Sequence, residues 1–232
     1  DNPFKYKQFQ SEIILFCVRW YCQTALSYQN LADMMTERGC PMAKTTIWHW
    51  VQQYDPEMKK RVSSYIRYTG GRWHVDETMT KVKGQYKYFY RAIDAYGDTV
   101  DFLLTAKKDI DSAIRFFKHS VKLVHVRKPG IIVTDKNKSY APAIEIFKAE
   151  GELSNNCRHM MDKHSNDYLE SDHRFTKRKV KYSMWFQNFE SAQNTLAGYD
   201  VMHMIRKGQM RHVGLDPVSQ MNFVHKIFGV HA

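Results

Sequence analysis

Between about residues 65 and 72 the spacing of apolar residues along this chain changes, and that change constrains the fold more than any other feature. Before it the apolar residues recur every three to four positions, as one face of a helix requires. After it they fall in short runs bounded by turn residues, as strands require. From Gln8 to Tyr21 the residues Phe9, Ile13, Ile14, Phe16, Cys17, Trp20 and Tyr21 keep helical period. A second helix is expected from Ser27, as N-cap, to about Arg38, with Tyr28, Leu31, Ala32 and Met35 inward; Gly39-Cys40-Pro41 breaks it. A third begins near Lys44 and carries Ile47, Trp48, Val51 and Tyr54 inward. It is expected to stop at Asp55-Pro56, because proline lacks the N–H and disfavours helix in the residue before it.

Beyond Tyr68-Thr69-Gly70-Gly71, residues 72–82, 86–94 and 99–104 are rich in Val, Thr, Tyr, Phe and Leu, separated by Lys83-Gly84-Gln85 and Tyr96-Gly97-Asp98. Three such runs joined by two short turns predict an antiparallel meander. A helix is expected from Asp109 to about Val121, a strand over Ile131 to Thr134 after Pro129-Gly130, and helices over 139–150, 166–181 and 188–207. Strands followed by alternating helices and shorter strands imply an α/β protein with a mixed sheet covered by helices. The expected division is a helical domain over 1–68 and a catalytic domain over 69–232 with a C-terminal helical extension. The β-β-β-α-β-α order is that of the ribonuclease-H-like fold, with a mixed five-stranded sheet.

Three acids stand where that fold would place metal ligands. Asp76 lies mid-strand in Trp73-His74-Val75-Asp76-Glu77-Thr78, Asp135 closes Ile131-Ile132-Val133-Thr134, and Glu170 opens the basic helical stretch that runs through Lys179. Two strand positions and a helix start can converge on hard cations, which take oxygen ligands. Each acid also has a plainer reading. A carboxylate in a buried strand is hard to explain unpaired, but Asp135 is equally suited to a turn, and Asp167 and Asp172 compete with Glu170. Glu77 is the weaker neighbour of Asp76, since period two turns it to the opposite face of the strand. Cys157, His159 and His164 form an alternative, softer ligand set with poor zinc spacing.

Two helices joined by a Gly-containing turn, behind a supporting helix, have the layout of a helix-turn-helix DNA reader, although a plain helical bundle shares it. In that layout Lys44, Thr45, Thr46, His49 and Gln53 face away from the apolar stripe of the third helix, toward phosphates or base edges. The formal charge of +11 across 232 residues favours a polyanion as partner. No apolar stretch approaches the roughly 20 residues that span a bilayer, so no membrane partner is expected and the location expected is cytoplasmic and nucleoid-associated. Cys17, Cys22, Cys40 and Cys157 lack close pairing and read as free thiols.

At the level of particular stretches the chain resembles the DDE transposases of the insertion sequence six family. The likeness is carried by Arg19-Trp20-Tyr21, Thr46-Ile47-Trp48-His49-Trp50-Val51-Gln52, Val75-Asp76-Glu77-Thr78, Tyr90-Arg91-Ala92-Ile93-Asp94, Thr134-Asp135-Lys136, Glu170-Ser171-Asp172-His173 and Ile205-Arg206-Lys207-Gly208-Gln209. Met79 departs from it, standing where the family usually has Tyr, and Asp167 replaces an Asn. The resemblance implies a homodimer that recognises terminal inverted repeats in double-stranded DNA, frees a 3′-OH and joins it to target DNA. It further implies that Asp76, Asp135 and Glu170 hold two Mg²⁺ ions, with Mn²⁺ able to substitute, and that His173, Arg174, Lys177 and Arg178 contact the DNA backbone. A catalytically inactive DNA-binding regulator and a structure-specific nuclease are the readings from other classes.

Overall fold

The computed structural model describes residues 3–135, 137–162, 174, 179 and 186–230. In chain order its elements are α1 (Ser11–Gln23), α2 (Tyr28–Glu37), α3 (Lys44–Val62), β1 (Arg72–Val82), β2 (Gln85–Asp94), β3 (Thr99–Thr105), α4 (Ile110–Ser120), β4 (Ile131–Thr134), α5 (Tyr140–Ala149), β5 (Arg158–Met161), α6 (Phe189–Arg206) and α7 (Pro217–Phe228). They form two compact units, Ile66–Phe189 and the helical remainder, Asp1–Tyr65 with Glu190–Ala232. No helix among the described residues is long and apolar enough to cross a membrane.

In the helical unit, α1 buries Ile14, Leu15, Cys17 and Val18, α2 buries Leu31, Ala32 and Met35, and α3 buries Ile47, Trp50, Val51, Tyr54 and Met58. Ser27 caps α2 as expected, its hydroxyl accepting from the Asn30 N–H at 3.0 Å while the Asn30 side chain returns a bond to the Ser27 N–H. Two expectations for α3 are corrected. Trp48 is 37% exposed and Trp50, only 5% exposed, is the core tryptophan. Nor does the helix stop at Pro56: Tyr54, Met58 and Val62 continue the buried stripe at four-residue spacing, and that burial outweighs the missing bond. The Gln52 carbonyl, which Pro56 leaves without its helical donor, receives the Asn194 side-chain amide at 3.5 Å.

The C-terminal helices join this unit, whereas a single domain is expected over 69–232. On α6, Thr195 bonds the Gln52 side chain at 2.9 Å and the Tyr199 hydroxyl meets that of Tyr21 at 3.1 Å. Arg61 of α3 donates to the Ile227 carbonyl of α7 at 2.8 Å, and the rings of Tyr54 and Phe228 pack edge to face. The physical reason lies in α6 itself. It is buried on more than one side, from Thr195 through Met202 without a break, so its period names no single partner face.

The α/β unit is a five-stranded mixed sheet in the order β3-β2-β1-β4-β5. β1, β2 and β3 are antiparallel, and β4 and β5 run parallel to β1. Lys83 and Gly84, both at positive φ, make the two-residue turn between β1 and β2, which suits the twist of a tight hairpin. This is the ribonuclease-H-like arrangement expected from the element order. On one face Trp73, Val75, Tyr90 and Ala92 pack against Ala113, Phe116 and Phe117 of α4 and Ala143, Ile144 and Phe147 of α5. β5 is the element without a sequence signal: four residues, three of them exposed, placed only by its register with β4. The helix expected over 166–181 lies outside the described residues apart from Arg174 and Lys179.

Candidate active site

β1 and β4 pair in parallel only from Arg72↔Ile131 to Val75↔Thr134. Asp76 and Asp135 are the next residue on each strand, so both acids sit at the carboxyl end of the pairing, where open α/β sheets form their binding crevices. Backbone bonds set the register at the other end, with Gly130 N–H and Ile131 N–H both donating to the Gly71 carbonyl at 2.8 and 3.2 Å. A side-chain oxygen from each of Asp76, Glu77 and Asp135 lies within 4.8 Å of the other two.

Glu77 therefore joins the cluster despite the expectation from period two. The reason is that the parallel pairing with β4 ends at Val75↔Thr134, just before the two acids, and the next bridge on that edge among the described residues is Val82–Phe186. Side chains from opposite faces of a strand are kept apart by its neighbours. Where a neighbour has ended, they can approach round the free edge.

Each acid is held locally. Asp76 Oδ1 accepts from the Glu77 N–H at 2.8 Å, and Asp135 Oδ1 from the Asn137 N–H at 2.9 Å. The second is an Asx turn, and Asn137 repeats it by accepting from Ser139 N–H at 3.1 Å just before α5. The Thr134 hydroxyl bonds the Asp135 carbonyl at 2.8 Å and lies 2.9 Å from His159 Nε2. Burial, the first cause, and the nearby Lys148 hold the His159 ring below its ordinary pKa, against the pull of Glu145. Cys157 belongs to the apolar core, so the softer ligand set is not assembled among the described residues; His164 lies outside them.

The Glu77 carboxylate is almost wholly buried, its side chain 3% exposed. Oε2 accepts from the Tyr140 hydroxyl and Oε1 pairs with the Lys108 ammonium, while Asn137 Nδ2 stands 3.5 Å from Oε1. Burial alone would lower the Lys108 pKa, but the bond and charge of Glu77, with Asp135 and Asp76, raise it above the usual lysine value. Tyr140 is fully buried, and burial first, then Glu77, pushes its phenol well above normal. Tyr90, opposite Glu77 in the sheet, is raised by the same causes in the same order. Its hydroxyl is buried with no hydrogen-bond partner among the described residues.

Three clustered carboxylates make an all-oxygen donor set. That chemistry fits a hard divalent cation and not a soft one. Of the other expected site residues, Glu170, His173, Lys177 and Arg178 lie outside the described residues, and Arg174 is exposed. Lys44, Thr45, His49 and Gln53 are exposed along α3, and Thr46 is half-buried; Gln53 accepts from the Lys7 ammonium at 3.0 Å. Lys108 and Tyr140 escaped the sequence reading. The one signal for Lys108 is its place directly before Asp109, the N-cap of α4.

A mixed sheet in this strand order, with Asp76 and Asp135 at the carboxyl end of the β1–β4 pairing, defines an enzyme of the DDE polynucleotidyl transferase class. Residues 70–209 match the family model of the DDE domain of IS240-type transposases. The chain is 34% identical, over 236 residues, to the Staphylococcus aureus transposase for insertion sequence-like element IS431mec, covering 96% of this chain and 98% of that one. The same figures relate it to the Staphylococcus aureus transposase for insertion sequence element IS257 in transposon Tn4003. This chain belongs to the DDE transposases of the insertion sequence six family.

Among solved structures it overlaps the HTLV-2 integrase catalytic core domain in complex with magnesium at 17% identity and a TM-score of 0.38, covering 47% of this chain and 68% of that one. It overlaps the simian T-cell lymphotropic virus intasome, in complex with PP2A regulatory subunit B56 gamma, at 14% identity and 0.44, covering 82% and 68%. The fold assignment rests on strand order and not on these overlaps.

Proposed function

We propose that this transposase binds the terminal inverted repeats of an insertion sequence in double-stranded DNA, frees a 3′-OH there and joins it to target DNA, acting as a homodimer. The observation that carries this reading is the meeting of Asp76 and Asp135 at the carboxyl end of the β1–β4 pairing. Asp76, Asp135 and Glu170 would hold two Mg²⁺ ions, for which Mn²⁺ can substitute. When bound, such a pair activates the attacking oxygen and stabilises the leaving one in an in-line displacement. The chain's own part is to hold the acids still: the backbone bonds on Asp76 and Asp135 fix their side chains before any ligand arrives, and positioning together with electrostatic stabilisation supplies nearly all of the catalysis in phosphoryl transfer.

In this reading the first three helices are a helix-turn-helix reader, with Lys44, Thr45, Thr46, His49 and Gln53 of α3 toward the DNA. Arg174, His173, Lys177 and Arg178 hold the transposon-end backbone near the acids. A division into residues 1–68 for recognition and 69–232 for catalysis follows the functions, although the C-terminal helices pack with the first unit.

The test is strand transfer from an oligonucleotide bearing the element's end into a plasmid, with Mg²⁺. Asp76→Asn and Asp135→Asn should abolish joined product, and product equal to the parent's would refute the mechanism. Glu170→Gln should abolish it too, whereas full activity there, with loss in Glu77→Gln, would move the third ligand to Glu77. Cleavage of the oligonucleotide without any joining of a pre-nicked end would identify a nuclease.

A further inference from the structure

Among the described residues, Lys108 brings a cation to the acidic cluster through its pair with Glu77. The loop that carries it is fixed on both sides. The Thr105 hydroxyl bonds the Lys107 carbonyl at 2.8 Å and lies 3.2 Å from the Tyr88 carbonyl, and Asp109 caps α4 by accepting from Ser112 N–H at 2.9 Å. Between these anchors the Lys108 side chain crosses toward β1 and pairs with Glu77. The pair is closed on one side and open on the other, with Glu77 3% and Lys108 35% exposed.

We propose that Lys108 is a substrate-contacting residue of the strand-transfer site, a phosphate-binding cation that Glu77, Tyr140 and Asn137 hold in position; this rests on the function proposed above. Three observations support it. An ammonium has three donors, and the bond to Glu77 uses one. Both oxygens of Glu77 are already engaged, by Tyr140 on Oε2 and by Lys108 and Asn137 on Oε1. Glu77 is thus better suited to aim Lys108 than to leave it for a metal. Finally, the Glu77 carboxylate that holds Lys108 has an oxygen within 4.8 Å of one from each of Asp76 and Asp135, so the ammonium stands beside the same cluster that would hold the ions. A phosphate approaching those ions meets Lys108, and a preset cation needs no reorganisation when charge builds on it.

The alternative is that Lys108 merely neutralises the acids. To separate the two, binding of a duplex bearing the element's end is measured against salt concentration, with Ca²⁺ in place of Mg²⁺, for the parent, Lys108→Gln, Lys108→Arg and Glu77→Gln. Mn²⁺ affinity without DNA is measured in parallel by electron paramagnetic resonance. Loss of one phosphate contact should flatten the slope of log affinity against log salt by about 0.9 in Lys108→Gln. Lys108→Arg should keep the slope, Glu77→Gln should flatten it in part, and Mn²⁺ should bind Lys108→Gln as well as or better than the parent.

An unchanged slope in Lys108→Gln, or weaker Mn²⁺ binding as its only defect, would overturn the proposal. If Lys108→Gln fails to fold, Glu77→Gln/Lys108→Gln removes both charges together and carries the same comparison. A parent protein that neither binds nor joins the duplex would refute the proposed function instead, so the two failures are distinct.

Discussion

Gly198 of α6 lies directly against the carboxylate of Asp55 of α3, so that a Cβ on the glycine would overlap Cγ and both oxygens of the acid. Asp55 is fully buried and accepts from the Cys22 thiol at 3.3 and 3.4 Å. Its short side chain has nowhere to swing. Gly198→Ala should therefore destabilise the protein by about 3 kcal/mol, the upper range for overpacking a core. Chemical denaturation would show this as a lower midpoint, and an unchanged midpoint would mean that the two helices do not pack this closely.

The four thiols should differ in reactivity. Burial, with a small contribution from Cys40, pushes the Cys17 thiol up to about 12, and Cys22 and Cys157 are buried while Cys40 is not. The thiolate is the reactive form. Iodoacetamide at mildly alkaline pH should label Cys40 in the native protein and reach the other three only after denaturant is added. Peptide mass spectrometry reads the order directly, and early labelling of Cys17 would contradict the packing of α1.

Stability should rise with pH through the weakly acidic range. His225 of α7 is held below its ordinary pKa of 6.5 by burial first and also by Arg19, with Glu12 opposing. The folded state therefore binds fewer protons than the unfolded state below about 6.5, and the stabilisation is lost as pH falls through that window toward the folded-state pKa. His225→Gln should flatten this part of a melting-temperature profile. A profile as steep as the parent's would assign the effect to other groups, His159 first among them.

Several elements were legible because their signals are local. β1, β2 and β3 lie within a residue of their expected bounds, since Lys83-Gly84 and Gly97 punctuate them and their runs are rich in strand-forming residues. Ser27 caps the helix it was expected to cap, and the helix expected from Asp109 begins at Ile110 with Asp109 as its cap. The signals that misled were local too. Pro56 reads as a stop, but Met58 and Val62 find buried places beyond it, and Trp50 rather than Trp48 is inward because it shares the face of Ile47, Val51 and Tyr54 at three- and four-residue spacing. β5, four residues long and largely exposed, has no pattern to detect.

By itself the sequence determined the order of the first four strands and the helices between them, the positions of Asp76 within a strand and Asp135 at the end of one, and the family to which the chain belongs, because each follows from residue type and spacing along one segment. Tertiary structure alone decided that α6 and α7 pack with the first three helices, and that Glu77 meets Asp76 and Asp135 while holding Lys108 and Tyr140. Glu77 and Lys108 are 31 positions apart in the chain, and Tyr21 and Tyr199 are 178. Periodicity specifies which face of an element is buried. Which neighbour covers that face, and where that neighbour ends, depends on how the elements pack.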